Sequence, residues 1–188
     1  MFELLLTSFL LILFILALYI IWRINARKYI SSGTVASAYD AWTQDKLLER
    51  LWGEHIHLGF YPSEKKNIDF REAKVRFVHE LVKWSGLDKL PKGSRILDVG
   101  CGIGGSSRIL AKYYGFNVTG ITISPAQVKR ARELTPFGLN CNFQIMDAMD
   151  LEFEDGSFDG VWSVEAGAHM YDKTKFADEM LRTLRPGG

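Results

Sequence analysis

The sequence predicts an α/β fold with a parallel sheet, preceded by one N-terminal transmembrane helix. Three observations support this prediction. A short apolar strand, 95–99, runs into a glycine-rich turn, and a helix follows the turn directly. Beyond residue 115, strand-like and helix-like segments alternate, which is typical of a parallel sheet. An uncharged run of nineteen residues, Leu4–Trp22, lies near the start of the chain.

The composition suits one domain and excludes several kinds of partner. The chain has 188 residues, and 47% of them are hydrophobic, which is enough for a core. Lysine and arginine number 23 against 22 acidic residues, so the net charge of +1 gives no general attraction to nucleic acid. Cys101 and Cys141 lack metal-ligand spacing, and we interpret them as small buried residues. We therefore expect no metal site and no nucleic-acid partner.

The run Leu4–Trp22 is predicted to be an uncleaved membrane anchor. As a helix it would be about 28 Å long, close to the thickness of the bilayer core. Tyr19 and Trp22 lie at its end, where aromatic residues favour the interface, and the basic residues Arg23, Arg27 and Lys28 follow. This asymmetry predicts a single pass, with the rest of the chain on the cytoplasmic or stromal-equivalent face. The alternative, a cleaved signal peptide, requires basic residues before a shorter run.

The segment Arg95–Gly105, R-I-L-D-V-G-C-G-I-G-G, is the strongest functional signal. Glycines let the backbone approach a ligand closely, and the following helix offers unpaired N–H groups. A dinucleotide site would need an acid about 20 residues further on, but no Asp or Glu lies between Asp98 and Glu133. The same residues form D-x-G-x-G-x-G, which resembles motif I of the class I S-adenosylmethionine (AdoMet) methyltransferases. Asp98, directly before the turn, favours this second interpretation.

Five segments are predicted along the chain. They are a tail (1–3), the transmembrane helix (4–22), a linker (23–37), a helical cap on the substrate side (38–92) and an AdoMet-binding domain (93–188). The cap contains two amphipathic helices, Ala38–Trp52 and Arg71–Trp84. Between them, His55 and His57 lie in an aromatic segment without a third metal ligand. We expect this segment to close over a ligand.

The carboxyl ends of the predicted strands should meet at one edge of the sheet. After the first strand, three more are predicted, at 117–123, 141–146 and 158–164. Ser124-Pro125-Ala126-Gln127 predicts a capping box at a helix start, with Ser124 as the N-cap. Asp172 is expected to cap a last helix that ends at Leu184.

Longer matches narrow the resemblance. I-L-D-V-G-C-G-I-G-G-S-S, V-T-G-I-T-I-S-P-A-Q, D-G-S-F-D-G-V-W-S-V-E-A-G-A-H-M and L-R-P-G-G, within about residues 38–188, are similar to the tocopherol and plastoquinone branch of those methyltransferases. The resemblance implies a Rossmann-like class I sheet, AdoMet as cofactor, and a lipophilic prenylated benzoquinol as substrate. Thr122 stands where many methyltransferases have an acid, which is typical of this branch. Only four of the seven strands of this class are present, so we expect a C-terminally truncated chain.

The resemblance also implies the residues that bind AdoMet. They are Asp98, Gly100, Cys101, Gly102, Gly104, Thr122, Ser124, Gln127, Asp147, Ala148 and Ser163. Asp98 would help to place the methionine end of AdoMet, and Asp147 would lie near the adenine amino group.

The implied reaction transfers a methyl group to a ring carbon of the quinol. Loss of a phenolic proton would raise the nucleophilicity of the ring, so a general base would help. His169 and Glu165, four residues apart after the fourth strand, are the candidate catalytic residues, and His57 and Tyr61 are expected on the substrate side.

Three other functions stay open. The same chemistry could act on a sterol or a fatty-acyl lipid, since cousins of this branch share a similar I-T-x-S-x-x-Q segment. A non-catalytic AdoMet-binding membrane fragment is the second alternative, and a dinucleotide oxidoreductase is the third. The sequence leaves the oligomeric state open.

Overall fold

A computed structural model of the chain describes residues 2–25, 32–63 and 67–188. Most of the basic cluster predicted after the N-terminal run, including Arg27 and Lys28, lies outside the described residues, as does part of the predicted linker.

Four parallel strands form the sheet, which confirms the predicted α/β class. They are β1 (Arg95–Val99), β2 (Asn117–Thr122), β3 (Cys141–Ile145) and β4 (Gly160–Trp162), in the order β3-β2-β1-β4. The predicted fourth strand, 158–164, is therefore shorter in the structure. In the register, Asp98 of β1 lies beside Gly120 of β2 on one side and Trp162 of β4 on the other. All four carboxyl ends lie at one edge, as a parallel sheet requires.

Seven α-helices are present among the described residues. They are α1 (Phe2–Asn25), α2 (Ser32–Gln44), α3 (Leu47–Trp52), α4 (Phe70–Ser85), α5 (Gly105–Tyr114), α6 (Pro125–Leu134) and α7 (Lys173–Thr183). Asp69 and Asp172 accept backbone N–H groups at the starts of α4 and α7, so the expected cap at Asp172 is confirmed.

Alternating side chains of β1 enter two separate cores. Ile96 packs with Val78 and Val82 of α4 and with Leu110 of α5. On the other face, Leu97 and Val99 pack with a second apolar cluster: Ile121, Ala148, Met149, Leu151, Phe158 and Phe176. Asp98 therefore lies on the same face of the sheet as Ile96, beneath α5. It is a carboxyl on a face that otherwise carries an apolar cluster.

The predicted helix Ala38–Trp52 is wrong in two respects. The structure divides it into α2 and α3, and α2 already begins at Ser32, inside the predicted linker 23–37. Lys46, between them, has a left-handed backbone with φ of 53°. The Asp45 side chain accepts the N–H of Leu47 at 2.9 Å, at the start of α3. An Asp side chain that captures a nearby N–H favours a new helix start over continuation, which the apolar spacing could not reveal.

Helix α1 includes the run that was predicted to cross a membrane. Its side chains from residue 7 to residue 22 are all exposed. No helix within the described parts of the chain has both the length and the hydropathy needed to cross a membrane. The predicted transmembrane helix is therefore not supported by the structure.

Candidate active site

The glycine turn between β1 and α5 requires glycine at three positions. Gly100, Gly102 and Gly104 have φ of 77°, 56° and 80°, in the left-handed region. A Cβ on Gly100 would lie 2.4 Å from the Cβ of Ala166, and one on Gly104 would lie 2.6 Å from the Phe143 ring. A Cβ on Gly102 would meet no atom within 4 Å, so this glycine faces open space.

Asp98 is a buried carboxyl directly before this turn. Only 2% of the residue is exposed, and its Oδ2 accepts a hydrogen bond from Ser107 Oγ at 2.5 Å. Burial raises the pKa of the Asp98 carboxyl to about 7, although hydrogen bonds from Ser107 act in the opposite direction. No described cation forms an ion pair with it. A cationic group of a ligand would compensate for this burial.

A cavity of about 440 Å³ opens at the carboxyl edge of the sheet. Most of the predicted site residues line it: Asp98, Gly100, Cys101, Gly102, Thr122, Gln127, Asp147, Ala148, Glu165, His169 and His57. The residues come from four strand ends and from the segment before α4, so the fold collects them from distant parts of the sequence.

Four predicted site residues do not line this cavity. Gly104 packs against Phe143, and Ser163 Oγ donates to the Val99 carbonyl at 3.0 Å. Tyr61 lies on the surface, with 57% of its area exposed. Ser124 is fully buried, and its hydroxyl accepts a backbone N–H at the start of α6.

The capping box at α6 forms only in part. Ser124 Oγ accepts the Gln127 N–H at 3.1 Å, as predicted. The Gln127 side chain does not return to the Ser124 N–H; its Oε1 accepts the Thr122 hydroxyl at 2.7 Å. The Ser124 N–H instead donates to Thr122 Oγ1 at 3.3 Å. Thr122, at the end of β2, thus hydrogen-bonds both the Gln127 side chain and the Ser124 N–H, which would otherwise bond each other. This holds Gln127 at the cavity wall.

Residues 32–63, which we call the cover, contribute one side of the cavity. Asp40 of α2 accepts both Ser124 Oγ, at 2.5 Å, and the Ala126 N–H, at 3.0 Å, at the start of α6. Tyr39 Oη lies 2.9 Å from His169 Nε2, and both residues line the cavity. The sequence indicated a segment closing over a ligand, but it gave no signal for Tyr39 or Asp40.

Two ion pairs also join the cover to the sheet domain. Glu49 and Arg130 form a two-point contact with distances of 2.8 and 2.6 Å. Arg108 of α5 donates to Glu54 at 2.6 Å and to the Ile103 carbonyl at 2.7 Å. Bidentate guanidinium–carboxylate pairs fix orientation as well as distance.

The indole of Trp162 is a buried donor near the cavity. Only 3% of the residue is exposed, and its Nε1 has no hydrogen-bond partner among the described residues. A buried unpaired donor is energetically unfavourable. No group of three potential metal ligands occurs in the described part of the chain.

Comparisons with known proteins agree on one family. A family model described as a methyltransferase domain matches residues 96–188. The chain is 61% identical over 168 residues to the 2-methyl-6-phytyl-1,4-hydroquinone methyltransferase of Synechocystis sp., which covers 89% of this chain and 53% of that protein. This chain belongs to the class I AdoMet-dependent methyltransferases, in the tocopherol branch.

Other members of the methyltransferase family and its fold extend the likeness. The chloroplastic tocopherol O-methyltransferase of Arabidopsis thaliana is 43% identical over 152 residues, covering 76% of this chain and 44% of that protein. The crystal structure of the cyclase SpnF has a TM-score of 0.73 and 30% identity, covering 85% of this chain and 58% of that one. The chain spans about half the length of the two relatives matched by sequence.

AdoMet or its product is bound by methyltransferases similar to this chain, and two features of the cavity fit AdoMet. The open space beside Gly102 is a place where a side chain would obstruct a ligand. The buried Asp98 carboxyl, which has no cationic partner among the described residues, suits the ammonium group of an amino acid.

Proposed function

We propose that the chain forms the AdoMet-binding part of an enzyme that methylates a ring carbon of a prenylated benzoquinol. The observation that carries this proposal is the 61% identity to the Synechocystis hydroquinone methyltransferase. That match extends over 168 residues, more than the sheet domain alone, so it also includes residues outside 93–188. The division into a cap, 38–92, and an AdoMet-binding domain, 93–188, is part of the same proposal.

We propose the following cofactor contacts. The Asp98 carboxylate pairs with the ammonium group, and the backbone of the glycine turn lies along the methionine end. Gln127 and Thr122 lie beside the ribose, and Asp147 with Ala148 lies beside the adenine. Bound AdoMet supplies an electrophilic methyl group on a sulfonium centre. The cover excludes water from the reacting groups and orients them, which is a large part of what a methyl transfer needs.

On the substrate side, we propose that His169 contacts the quinol or accepts its phenolic proton. His169 lines the cavity, and its contact with Tyr39 ties it to the cover. Glu165 was the other candidate base. One of its carboxylate oxygens already accepts the Leu58 N–H at 2.9 Å, so we assign it to holding the cover in place.

A direct test is transfer of a trideuterated methyl group from labelled AdoMet to 2-methyl-6-phytylhydroquinone by the full chain. Fragment masses of the product distinguish a methyl group on a ring carbon from one on oxygen. We expect C-methylation by the wild-type chain and none by the Asp98→Asn variant. An O-methylated product, or transfer only to a sterol offered in the same assay, would contradict the proposal.

We also propose that α1 holds the enzyme at a membrane, from which it draws its lipophilic substrate. Large apolar side chains such as Phe9, Ile12 and Phe14 are about 60% exposed, and lipid would cover them.

Flotation of the full chain with lipid vesicles tests the membrane proposal. The double variant Leu13→Lys, Leu16→Lys should lose flotation, because charged groups are unfavourable in the bilayer core. The matched control, Tyr171→Lys with Leu181→Lys, changes two exposed apolar side chains outside α1 and should float normally. Equal flotation of both variants would show that α1 does not hold the chain on lipid.

A further inference from the structure

Two histidines of the cover, His55 and His57, are buried in the wall of the cavity. Only 9% of His55 and 8% of His57 are exposed, and both line the cavity. The His55 ring lies against the glycine turn, since a Cβ on Gly105 would be 2.8 Å from its Cε1. The proposed cofactor contacts do not use His55.

The hydrogen bonds of this pair determine which ring nitrogens carry protons. His57 Nδ1 is 2.7 Å from the Leu58 carbonyl, and a carbonyl only accepts, so Nδ1 carries the proton. In a neutral imidazole the other nitrogen, Nε2, is then an acceptor. It lies 3.1 Å from His55 Nδ1, which must therefore donate. This leaves a lone pair on His55 Nε2, which makes no hydrogen bond to any described residue.

The surroundings keep both rings neutral. Burial lowers the pKa of His55 to about 3, and the positive charges of Arg108 and Lys74 nearby act in the same direction. Burial also lowers the pKa of His57, although its bond to Leu58 and the carboxylate of Glu165 oppose this. His55 Nε2 is therefore an acceptor throughout the neutral pH range.

The backbone around the pair is fixed from both sides. Glu165 accepts the Leu58 N–H at 2.9 Å, next to His57. Lys74 of α4 is 4% exposed and donates to the His55 carbonyl at 2.8 Å and to the Trp52 carbonyl at 3.1 Å. A binding group held in this way needs little reorganisation when a ligand arrives.

We infer that His55 Nε2 accepts a hydrogen bond from a hydroxyl group of the methyl-accepting substrate. The inference rests on the proposed function of the same cavity. The cofactor's own strong donors have other acceptors there, namely Asp98 for the ammonium and Asp147 for the adenine amino group. A phenolic hydroxyl satisfies a neutral acceptor in the cavity wall, whereas an etherified ring or a fatty-acyl chain offers no donor. His55 binds the substrate, and His57 and Glu165 are positioning residues.

The test compares a ligand that has hydroxyl donors with its dimethyl ether, which has none. 2,3-Dimethylhydroquinone and its dimethyl ether are titrated into the full chain saturated with S-adenosylhomocysteine. For His55→Phe we expect hydroquinone affinity to fall about tenfold. The ether and S-adenosylhomocysteine should bind within about twofold of wild type. His55→Gln, which keeps an acceptor near the Nε2 position, should recover most of the hydroquinone affinity.

A measurement on the unmodified chain removes dependence on the folding of a variant. The chain has four histidines, and the resonances of a ¹⁵N-histidine-labelled sample can be followed during titration. The unprotonated Nε2 signal of His55 should move upfield with the hydroquinone and stay in place with the ether. No difference between the ligands would overturn the inference.

Other outcomes separate the inference from the proposed function. Equal loss of hydroquinone and ether affinity in His55→Phe would show a packing role, and weaker S-adenosylhomocysteine binding would make His55 a cofactor contact. Either result overturns the inference alone. A wild-type chain that binds S-adenosylhomocysteine but no hydroquinone overturns the proposed substrate, and the inference with it.

Discussion

Asp98 is almost completely buried and has no cationic partner among the described residues, and its titration therefore affects the stability of the fold. Its pKa is about 7 in the folded chain against an ordinary value of 3.8. Between these values the folded state holds one proton more than the unfolded state, so stability falls as pH rises from about 4 to 7. Above pH 7 the ionised side chain destabilises the fold by about 4 kcal/mol.

We therefore predict that Asp98→Asn stabilises the unliganded chain at pH 8 by up to about 4 kcal/mol, and by much less at pH 4. The amide can still accept the Ser107 hydroxyl. Urea unfolding at the two pH values measures the difference. A variant that is less stable than wild type at pH 8 would contradict the assigned pKa shift.

The same shift predicts a pH dependence of cofactor affinity. A bound ammonium group prefers the Asp98 carboxylate, so binding to the protonated form first requires loss of a proton. AdoMet affinity should therefore rise about tenfold from pH 6 to a plateau above pH 7. Calorimetry in buffers of matched ionic strength measures this slope. In Asp98→Ala, any residual binding should lose the slope; an unchanged slope would assign the titration to another group.

Removing the indole N–H of Trp162 should not destabilise the chain. Trp162→Phe removes the buried unpaired N–H, whose desolvation costs about 1–3 kcal/mol. Some packing is lost as well, so we expect a net change between zero and about 1 kcal/mol of stabilisation. Trp84→Phe, at a residue that is 84% exposed, is the matched control and should be neutral. A loss of several kcal/mol at Trp162 would mean that the N–H has a partner in solution.

At the scale of elements, the attachment of the cover to α6 makes a distinct prediction. Asp40→Ala removes two hydrogen bonds at the start of that helix and should lower stability by about 1–2 kcal/mol. Amide exchange in α2 should speed up, because the cover loses an anchor. Asp178→Ala, at an exposed acid of α7, is the control and should leave α2 unaffected. Unchanged exchange in α2 would mean that the other contacts suffice.

The sequence predicted the elements well where the signal is local. The alternation of β1 and the glycine turn fixed the strand, the turn and the start of α5, because each depends on adjacent residues. The contacts between the cover and the sheet domain could not be predicted from local sequence, since Asp40 and Ser124 are 84 positions apart. The break at Lys46 and the bond from Thr122 to Gln127 were missed for a related reason: each is a competition between side chains that residue type alone does not decide.

At the scale of the whole molecule, the chain joins a cavity at the strand ends to the cover, which follows an apolar helix. The family could be predicted because its motif residues cluster at the strand ends. The environment of α1 could not be predicted, because an apolar run of this length is compatible with several environments. The structure shows that the run is helical, but no helix among the described residues qualifies as a membrane span.

The most direct test of the account is calorimetric titration of AdoMet into the full chain and two glycine variants. Gly102→Ala would project a methyl group into the cavity, whereas Gly138→Ala carries similar backbone strain, with φ of 81°, and has no atom within 4 Å of its added methyl. We predict one-to-one binding by wild type and Gly138→Ala, and at least tenfold weaker binding by Gly102→Ala. No binding by a folded wild-type chain, or equal affinity in all three, would contradict the assignment of this cavity to AdoMet.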